Sequence, residues 1–405
     1  MTFRRKLSRR SGTDWGLRIA LTVVAAVLGC YSVTFSVARV LVKTNPEVAH
    51  RLAPYDGAIS AVMSAVLSRP EATPDERQRS EAVAELALRQ DSTAVAAAAT
   101  LGVNADLRGE RSVARSFFAY AYKLSRRDLR TQLWVIEDAV GRGSISEVLN
   151  HYDTTLRVFP NIDKILYPIL ANASANPAIR SVLIRKLYSK PVWSDSFIYY
   201  VAGNSPDLQS TALLFNRLRQ VGVAVPESAQ TRLVDALLTA GRMDAAWNYY
   251  ATIRSSADRR QSRDPRFVGG IDEPSQLDWI AVNDGGLTAS LANGLFDFAA
   301  PASVGGPLLR QGQLLPSGVY RLNGRSIGID QADSALPYWT LRCSNGRELG
   351  RIGMPNSVQA NGTFSGKFVV PADCPMQTLL LVAQPSDAIS GLSGQIIRVS
   401  LTPEQ

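Results

Sequence analysis

Histidine and cysteine are scarce in this chain of 405 residues, which has two histidines and three cysteines. His50 and His151 are too few for a His-rich metal site, and they leave few of the usual general bases for catalysis. Three cysteines cannot form the dense disulfide framework of a small secreted domain. The composition therefore argues against a histidine-rich metalloenzyme and against a disulfide-scaffold protein.

Sequence signatures of nucleotide binding are also missing. The sequence has no G-x-x-x-x-G-K-[ST] and no G-x-G-x-x-G, the glycine patterns that cradle phosphates. A serine hydrolase needs a base, and no histidine follows His151. Aspartates after residue 270 could still supply the carboxylate pair of a glycoside hydrolase. We expect no enzyme activity, no cofactor and no metal, and a glycan-active enzyme stays the least favoured alternative.

Positive charge is concentrated near the N-terminus. The net charge is +9, but residues 1–43 contain eight of the lysines and arginines and only one acid, Asp14. The remainder of the chain is close to neutral. Because nucleic-acid binding needs a concentrated basic face, we predict no nucleic-acid partner.

The segment Ile19–Ala38 has 20 residues without a charge. A helix of that length spans about 30 Å, the thickness of the hydrocarbon core. Lysine and arginine resist translocation, so we predict a basic cytoplasmic tail (1–18), a transmembrane helix (19–42) in a bacterial inner membrane, and a periplasmic remainder. A cleaved signal peptide and a lipid anchor at Cys30 stay open as alternatives.

Residues 45–262 have apolar side chains spaced three and four apart, which predicts helices. Three segments share one register of a large apolar residue, glycine, a small residue and an aromatic. The glycine permits a tight turn, the small residue lets two helices approach, and the aromatic fills the gap to the next pair. The residues predicted to pack in this way are Leu101, Gly109, Ala114, Phe118, Gly143, Tyr152, Leu233, Gly241, Ala246 and Tyr250.

This register resembles the tetratricopeptide repeat. The resemblance implies an α-solenoid whose concave face binds an extended peptide or a helix of a protein partner. The lysine and asparagine pattern that some members use to clamp a terminal carboxylate is absent, since Ala99 and Val103 stand where it would begin. No particular ligand follows from the resemblance.

Residues 263–405 have short alternating runs separated by glycine, proline, asparagine and aspartate, which predicts a β-sandwich or jelly roll. The patterns W-x-L-x-C (Trp339 to Cys343) and F-x-V-P-x-x-C (Phe368 to Cys374) resemble galactose-binding-like and carbohydrate-binding modules. The region is also similar to C-terminal domains of bacterial envelope repeat proteins linked to exopolysaccharide production.

Sugar binding needs exposed aromatic faces beside polar groups. The candidate stacking residues are Trp279, Phe296, Phe298, Tyr320, Tyr338 and Trp339, although core packing is the favoured role for each of them. Tyr338 and Trp339 are adjacent on a predicted strand, so their side chains should face opposite ways.

Cys343 and Cys374 are the only cysteines outside the apolar segment. In an oxidising compartment we expect them to form a disulfide, with two buried thiols or a metal pair as alternatives. The sequence thus predicts a membrane-anchored periplasmic scaffold that is accessory to envelope or exopolysaccharide assembly. Its solenoid would bind protein and its sandwich a polysaccharide, and an adaptor that binds protein alone is the runner-up.

Overall fold

A computed structural model describes residues 12–386 and 389–404. The described residues form helices followed by strands, so the chain has the predicted α + β architecture. The helices are α1 (Gly12–Leu41), α2 (Pro46–Leu52), α3 (Gly57–Leu67), α4 (Pro74–Gln90), α5 (Val95–Leu107), α6 (Arg111–Leu124), α7 (Leu129–Gly141), α8 (Ile145–Val158), α9 (Asp163–Ala173), α10 (Pro177–Tyr188), α11 (Ser194–Asn204), α12 (Leu208–Gln220), α13 (Glu227–Thr239) and α14 (Met243–Ile253). The strands are β1 (Ile280–Ala281), β2 (Thr288–Ala292), β3 (Leu295–Ala300), β4 (Gly306–Gln313), β5 (Gly318–Ile327), β6 (Tyr338–Cys343), β7 (Glu348–Gly353), β8 (Thr363–Val370), β9 (Gln377–Ala383) and β10 (Leu392–Pro403).

The chain divides into two compact units, residues 1–163 and 164–405. The second unit contains the last helices together with the whole sandwich. The change from helix to strand lies between Ile253 and Ile280.

Helix α1 contains a stretch, Trp15–Leu41, that is long and apolar enough to cross a membrane. Residues 1–11 of the predicted tail lie outside the described residues, and the helix already begins at Gly12. Its C-terminal end also packs within the first unit. Ala38 is fully buried with Ala49 and Ile59, so the last turns of this helix are joined to α2 and α3.

The predicted turn glycines end three helices. Gly109, Gly143 and Gly241 have φ values of +79°, +68° and +70°, a region that glycine adopts without a steric penalty. At each turn, the residue after the glycine donates its N–H to the carbonyl four residues before the glycine, the pattern of a Schellman C-cap. Gly222, at +80°, closes α12 in the same way. Within each unit, the helices therefore turn back sharply and pack as neighbours.

Two five-stranded antiparallel sheets form the C-terminal sandwich. One sheet has the order β1-β4-β9-β6-β7 and the other β2-β3-β10-β5-β8. Without the edge strands β1 and β2, the remaining eight strands alternate between the sheets in the order of a jelly roll. The C-terminal domain is therefore the β-sandwich that the sequence predicts, with one extra strand on each sheet.

Alternation of side chains builds the core between the sheets. Strand β9 shows the rule, since every second residue from Gln377 to Ala383 is buried. The inward side chains form one apolar cluster that includes Phe296, Trp339 and Phe368. The outward side chains leave each sheet with a second face that does not belong to this core.

The expected disulfide is confirmed. Cys343 at the end of β6 is bonded to Cys374 in the loop before β9, with 5.6 Å between the two Cα atoms and a sequence separation of 31. Both cysteines are buried. The bond therefore joins two strand ends across a loop that contains β7 and β8.

Replacing both cysteines with serine should lower the free energy of unfolding of the sandwich by about 3 kcal/mol, because an open loop of this length gains entropy in the unfolded chain. Urea titration of the full chain in detergent, followed by hydrogen exchange of peptides from β6 and β9, measures the loss. Cys30→Ser is the matched control and should change nothing, because Cys30 is exposed and free. An unchanged midpoint in Cys343→Ser/Cys374→Ser would contradict the expectation.

Candidate functional site

Most of the aromatic residues predicted to stack on sugars are inside the sandwich. Trp279, Tyr320 and Trp339 are 5%, 3% and 0% exposed. Phe296 and Phe298 are buried as well. The stacking prediction is wrong for all five, because their rings point between the sheets and pack on one another.

Polar atoms of two of these rings are bonded inside the protein. Trp279 Nε1 donates to the carbonyl oxygen of Asp264 over 3.0 Å, and the Tyr320 hydroxyl donates to the carbonyl oxygen of Pro316 over 2.9 Å. The rings of Trp279 and Trp339 meet edge to face with centroids 6.1 Å apart. These contacts fix the rings as parts of the core.

Tyr338 faces outward and is half-buried, as the alternation on a strand requires. The guanidinium of Arg351 lies over its ring, 4.6 Å from the centroid, and Arg351 also pairs with Glu348. One face of the ring is therefore already covered by a cation.

The repeat residues lie in the interior of the helical hairpins. Ala114, Phe118, Leu233 and Ala246 are fully buried, and Leu101, Tyr152 and Tyr250 are nearly so. Phe118 stacks on Trp134 with ring centroids 4.3 Å apart. The burial of these side chains is consistent with the predicted packing role. Membership of the tetratricopeptide family stays a prediction.

Tyr250 does more than pack. Its hydroxyl donates to Asp278 Oδ1 over 2.8 Å, while the other oxygen of Asp278 accepts from the backbone and hydroxyl of Ser275. Burial, followed by the negative charge of Asp278, raises the pKa of Tyr250 well above its ordinary value. The hydroxyl therefore stays protonated and joins α14 to the segment before β1.

A buried cation lies beside this tyrosine. The Arg263 guanidinium donates to the carbonyl oxygens of Leu277 and Gly312 and to Gln313 Oε1. The rings of Trp247 and Tyr250 are each 5.9 Å from it. Burial lowers the pKa of Arg263, and the nearby Tyr250 and Asp278 oppose that shift. This cluster was not foreseen from the sequence, because its partners lie up to 50 positions away.

A solenoid position that could line a binding groove is also occupied within the second unit. Asp235 on α13 accepts a hydrogen bond of 2.8 Å from the backbone nitrogen of Gln276. Burial raises the pKa of Asp235, and this hydrogen bond opposes the shift only in part. Here the helical part binds a segment of its own chain.

A groove lined by polar and apolar side chains runs over the outer face of the sheet that contains β10. One end, of about 920 Å³, lies beside Tyr250, Arg254 and Asp264. The other end, of about 840 Å³, is lined by backbone and side chains of the strands β5 and β10. The two ends share Arg398 and its neighbours on β10, so they form one continuous groove.

A β-bulge sets which side chains of β10 face this groove. The register with β5 shifts between Ile396 and Arg398. Before the shift the even-numbered residues are buried, and after it Val399 and Leu401 are buried. The extra residue Ile397 therefore turns Arg398 to the outer face, as bulges commonly re-aim a side chain beside a site.

One serine sits in a G-x-S-x-G pattern, Gly324 to Gly328, but not on the strand-to-helix turn that a nucleophile needs. Ser326 lies within β5, is buried, and donates its hydroxyl to the carbonyl oxygen of Gly362. Among the residues that the structure describes, no group of three or more His, Cys, Asp or Glu side chains could hold a metal ion. Ser326 is therefore a buried, hydrogen-bonded residue of the sheet.

Comparison with known proteins gives little beyond this geometry. No protein-family model and no curated protein matches the chain. The Glycosylation Associate Protein (Gap123) complex from Streptococcus agalactiae is similar at 13% identity over 31% of this chain and 44% of that chain, with a TM-score of 0.22. TmCBM61, solved with β-1,4-galactotriose, is similar at 14% identity over 35% of this chain and 97% of that one, with a TM-score of 0.25. The chain thus spans less than half the length of the first, and such scores carry no argument about fold or function.

Replacing Arg263 with methionine should destabilise the second unit by about 3–5 kcal/mol, because the buried acceptors lose their donor. Urea titration of the full chain, with hydrogen exchange of peptides from α14 and β4, measures the change. Arg266→Met, three residues away on an exposed side chain, should leave stability unchanged. Equal stability of Arg263→Met and the parent protein would show that the cluster does not hold α14 to the sandwich.

Proposed function

We propose that the protein is a membrane-anchored scaffold on the periplasmic side of a bacterial inner membrane. In this role it is accessory to envelope or exopolysaccharide assembly or export. Its helical part binds a protein partner, and its sandwich binds a glycan. It holds other components in place and carries out no reaction of its own.

The disulfide between Cys343 and Cys374 carries this proposal. Such bonds persist in oxidising compartments and are rare in the cytosol. The apolar helix Trp15–Leu41 and the basic residues before it are consistent with delivery of the later chain across a membrane. Two separate physical features, charge and cysteine pairing, thus support the same compartment.

The polar side chains on the floor of the groove support the glycan role. Its floor on β5 and β10 offers hydroxyl, amide and guanidinium groups, which are the groups that hydrogen-bond sugar hydroxyls. The arrangement does not depend on the buried aromatic rings. Binding through hydrogen bonds and charge therefore replaces the stacking that the sequence suggested.

An adaptor that binds protein alone is the second candidate. The burial of Trp279, Tyr320 and Trp339 favours it, because stacking platforms are the usual means by which such domains hold neutral sugars. Retention of the purified full chain on an affinity gel of exopolysaccharide separates the two roles. Retention supports the scaffold with a glycan site, and free passage supports the adaptor.

A reporter at the C-terminus tests the compartment. Alkaline phosphatase fused after Gln405 should be active, because this enzyme needs the oxidising periplasm to form its disulfides. A green fluorescent protein fusion should be dark, because this protein does not fold to its fluorescent form after export in the unfolded state. Alkylation of native material should find Cys343 and Cys374 unreactive without reductant. The matched control lacks residues 15–41 and should reverse both reporters. A fluorescent C-terminus on the full chain would overturn the proposed placement.

A further inference from the structure

Two arginines face each other on the outer surface of the sandwich. Arg398 on β10 and Arg325 on β5 are direct partners in the antiparallel register, and both side chains are exposed. Like charges directly opposite one another destabilise a sheet. The fold nevertheless uses a bulge to bring Arg398 to this position.

A third arginine approaches the pair from the linker. The backbone nitrogen of Val399 donates to the carbonyl oxygen of Pro265 over 3.0 Å. The backbone nitrogen of Ser262 donates to the carbonyl oxygen of Leu401, and the backbone nitrogen of Leu401 donates to the hydroxyl oxygen of Ser262. The linker therefore runs along β10 beyond the point where β3 ends its pairing at Ile396. Arg266 follows Pro265, is exposed, and lines the same end of the groove as the other two arginines.

Other cations on the same sheet face form ion pairs with a carboxylate. Four residues along β5 from Arg325, Arg321 binds Glu404 together with Lys367 on β8. These contacts lower the pKa of Glu404. In contrast, none of Arg266, Arg325 and Arg398 has an ion-pair partner among residues 15–386 and 389–404.

The groove around the three arginines has the composition of an anion site. Asn323, Ser400 and Thr402 line this end of the groove together with the arginines, and the described lining residues of this end include no carboxylate. The carboxylates of the groove, such as Asp264, lie at its other end. Neighbouring strands lie about 4.8 Å apart, so Arg325 and Arg398 project from adjacent strands, and Arg266 lies on the linker that runs along β10. Guanidinium groups bind carboxylates with two parallel hydrogen bonds.

We propose that this groove binds an acidic glycan through its carboxylate groups, with Arg266, Arg325 and Arg398 as the binding residues. The proposal deepens the glycan role proposed above and rests on it for its biological setting. The hydroxyl and amide groups between the arginines suit the sugar hydroxyls between successive carboxylates. No aromatic side chain lines this end of the groove among the described residues, so it lacks the stacking platform that single-stranded nucleic acids use.

Alginate oligosaccharides provide the probe for the purified full chain in detergent. Arg325→Gln/Arg398→Gln should weaken alginate binding at least tenfold at 50 mM NaCl, as measured by isothermal titration calorimetry. Its melting temperature should be equal to or above that of the parent protein, since a like-charge pair is removed. Added salt should weaken binding to the parent protein and have little effect on the variant.

The matched control removes two charges from the opposite sheet. Arg342→Gln/Arg351→Gln alters two arginines that pair with Glu348, and it should change alginate binding less than twofold. Equal weakening by the two variants would mean that net charge alone attracts alginate, and this would overturn the proposal. Equally tight binding of neutral dextran would overturn it too.

Other polyanions are separate arms of the same experiment. Tighter binding of a single-stranded DNA oligomer, or of vesicles with 30% phosphatidylglycerol, than of alginate would overturn the glycan assignment. The outcome is independent of the compartment test. A periplasmic reporter with no alginate binding refutes only this inference, whereas a cytosolic reporter refutes the proposed placement whatever the groove binds.

Discussion

The buried guanidinium of Arg263 is the interaction on which the second unit depends. A charge removed from water is strongly unfavourable unless the protein supplies the lost hydrogen bonds. Here the carbonyl oxygens of Leu277 and Gly312 and the side chain of Gln313 supply them. These acceptors come from the segment before β1 and from β4. Because each must stay in place, the single cation fixes the linker to the sandwich, and the rings of Trp247 and Tyr250 bring α14 to the same point.

The fixed linker in turn completes the outer face of one sheet. Strand β3 stops pairing with β10 at Ile396, which leaves the second half of β10 with an open edge. Residues 262–265 take that edge through hydrogen bonds to Val399 and Leu401. An unpaired edge is a site for aggregation, so this covering protects the strand. The same hydrogen bonds hold the linker beside the groove, although the linker is not a strand of the sheet.

Sequence patterns predicted where helices and strands lie better than which of their side chains face the core. The glycines at 109, 143 and 241 marked helix ends because only glycine adopts a positive φ freely, and the short runs between glycine, proline, asparagine and aspartate after residue 263 marked strands. The orientation of Trp339 relative to Tyr338 needed the sheet itself, since alternation fixes only that they differ. A bulge at Ile397 has no sequence signature, and it reverses the inward and outward sets over the rest of β10. The partners of Arg263 are distant in sequence, so nothing local could reveal them.

The placement of charge on the sandwich separates arginines with structural partners from the arginines that we propose to bind a ligand. Arg321, Arg342 and Arg351 each have a carboxylate on a neighbouring strand or nearby in the chain, which is how an exposed sheet surface ordinarily accommodates cations. Arg263 lacks a direct carboxylate but is satisfied by carbonyl oxygens. Within the part of the chain that the structure describes, Arg325 and Arg398 have neither arrangement, although a bulge-free strand would have kept Arg398 off this face. A local feature that opposes stability is more often retained for binding than for folding, and this reasoning favours the groove over the buried aromatic residues as the place where the sandwich meets its ligand.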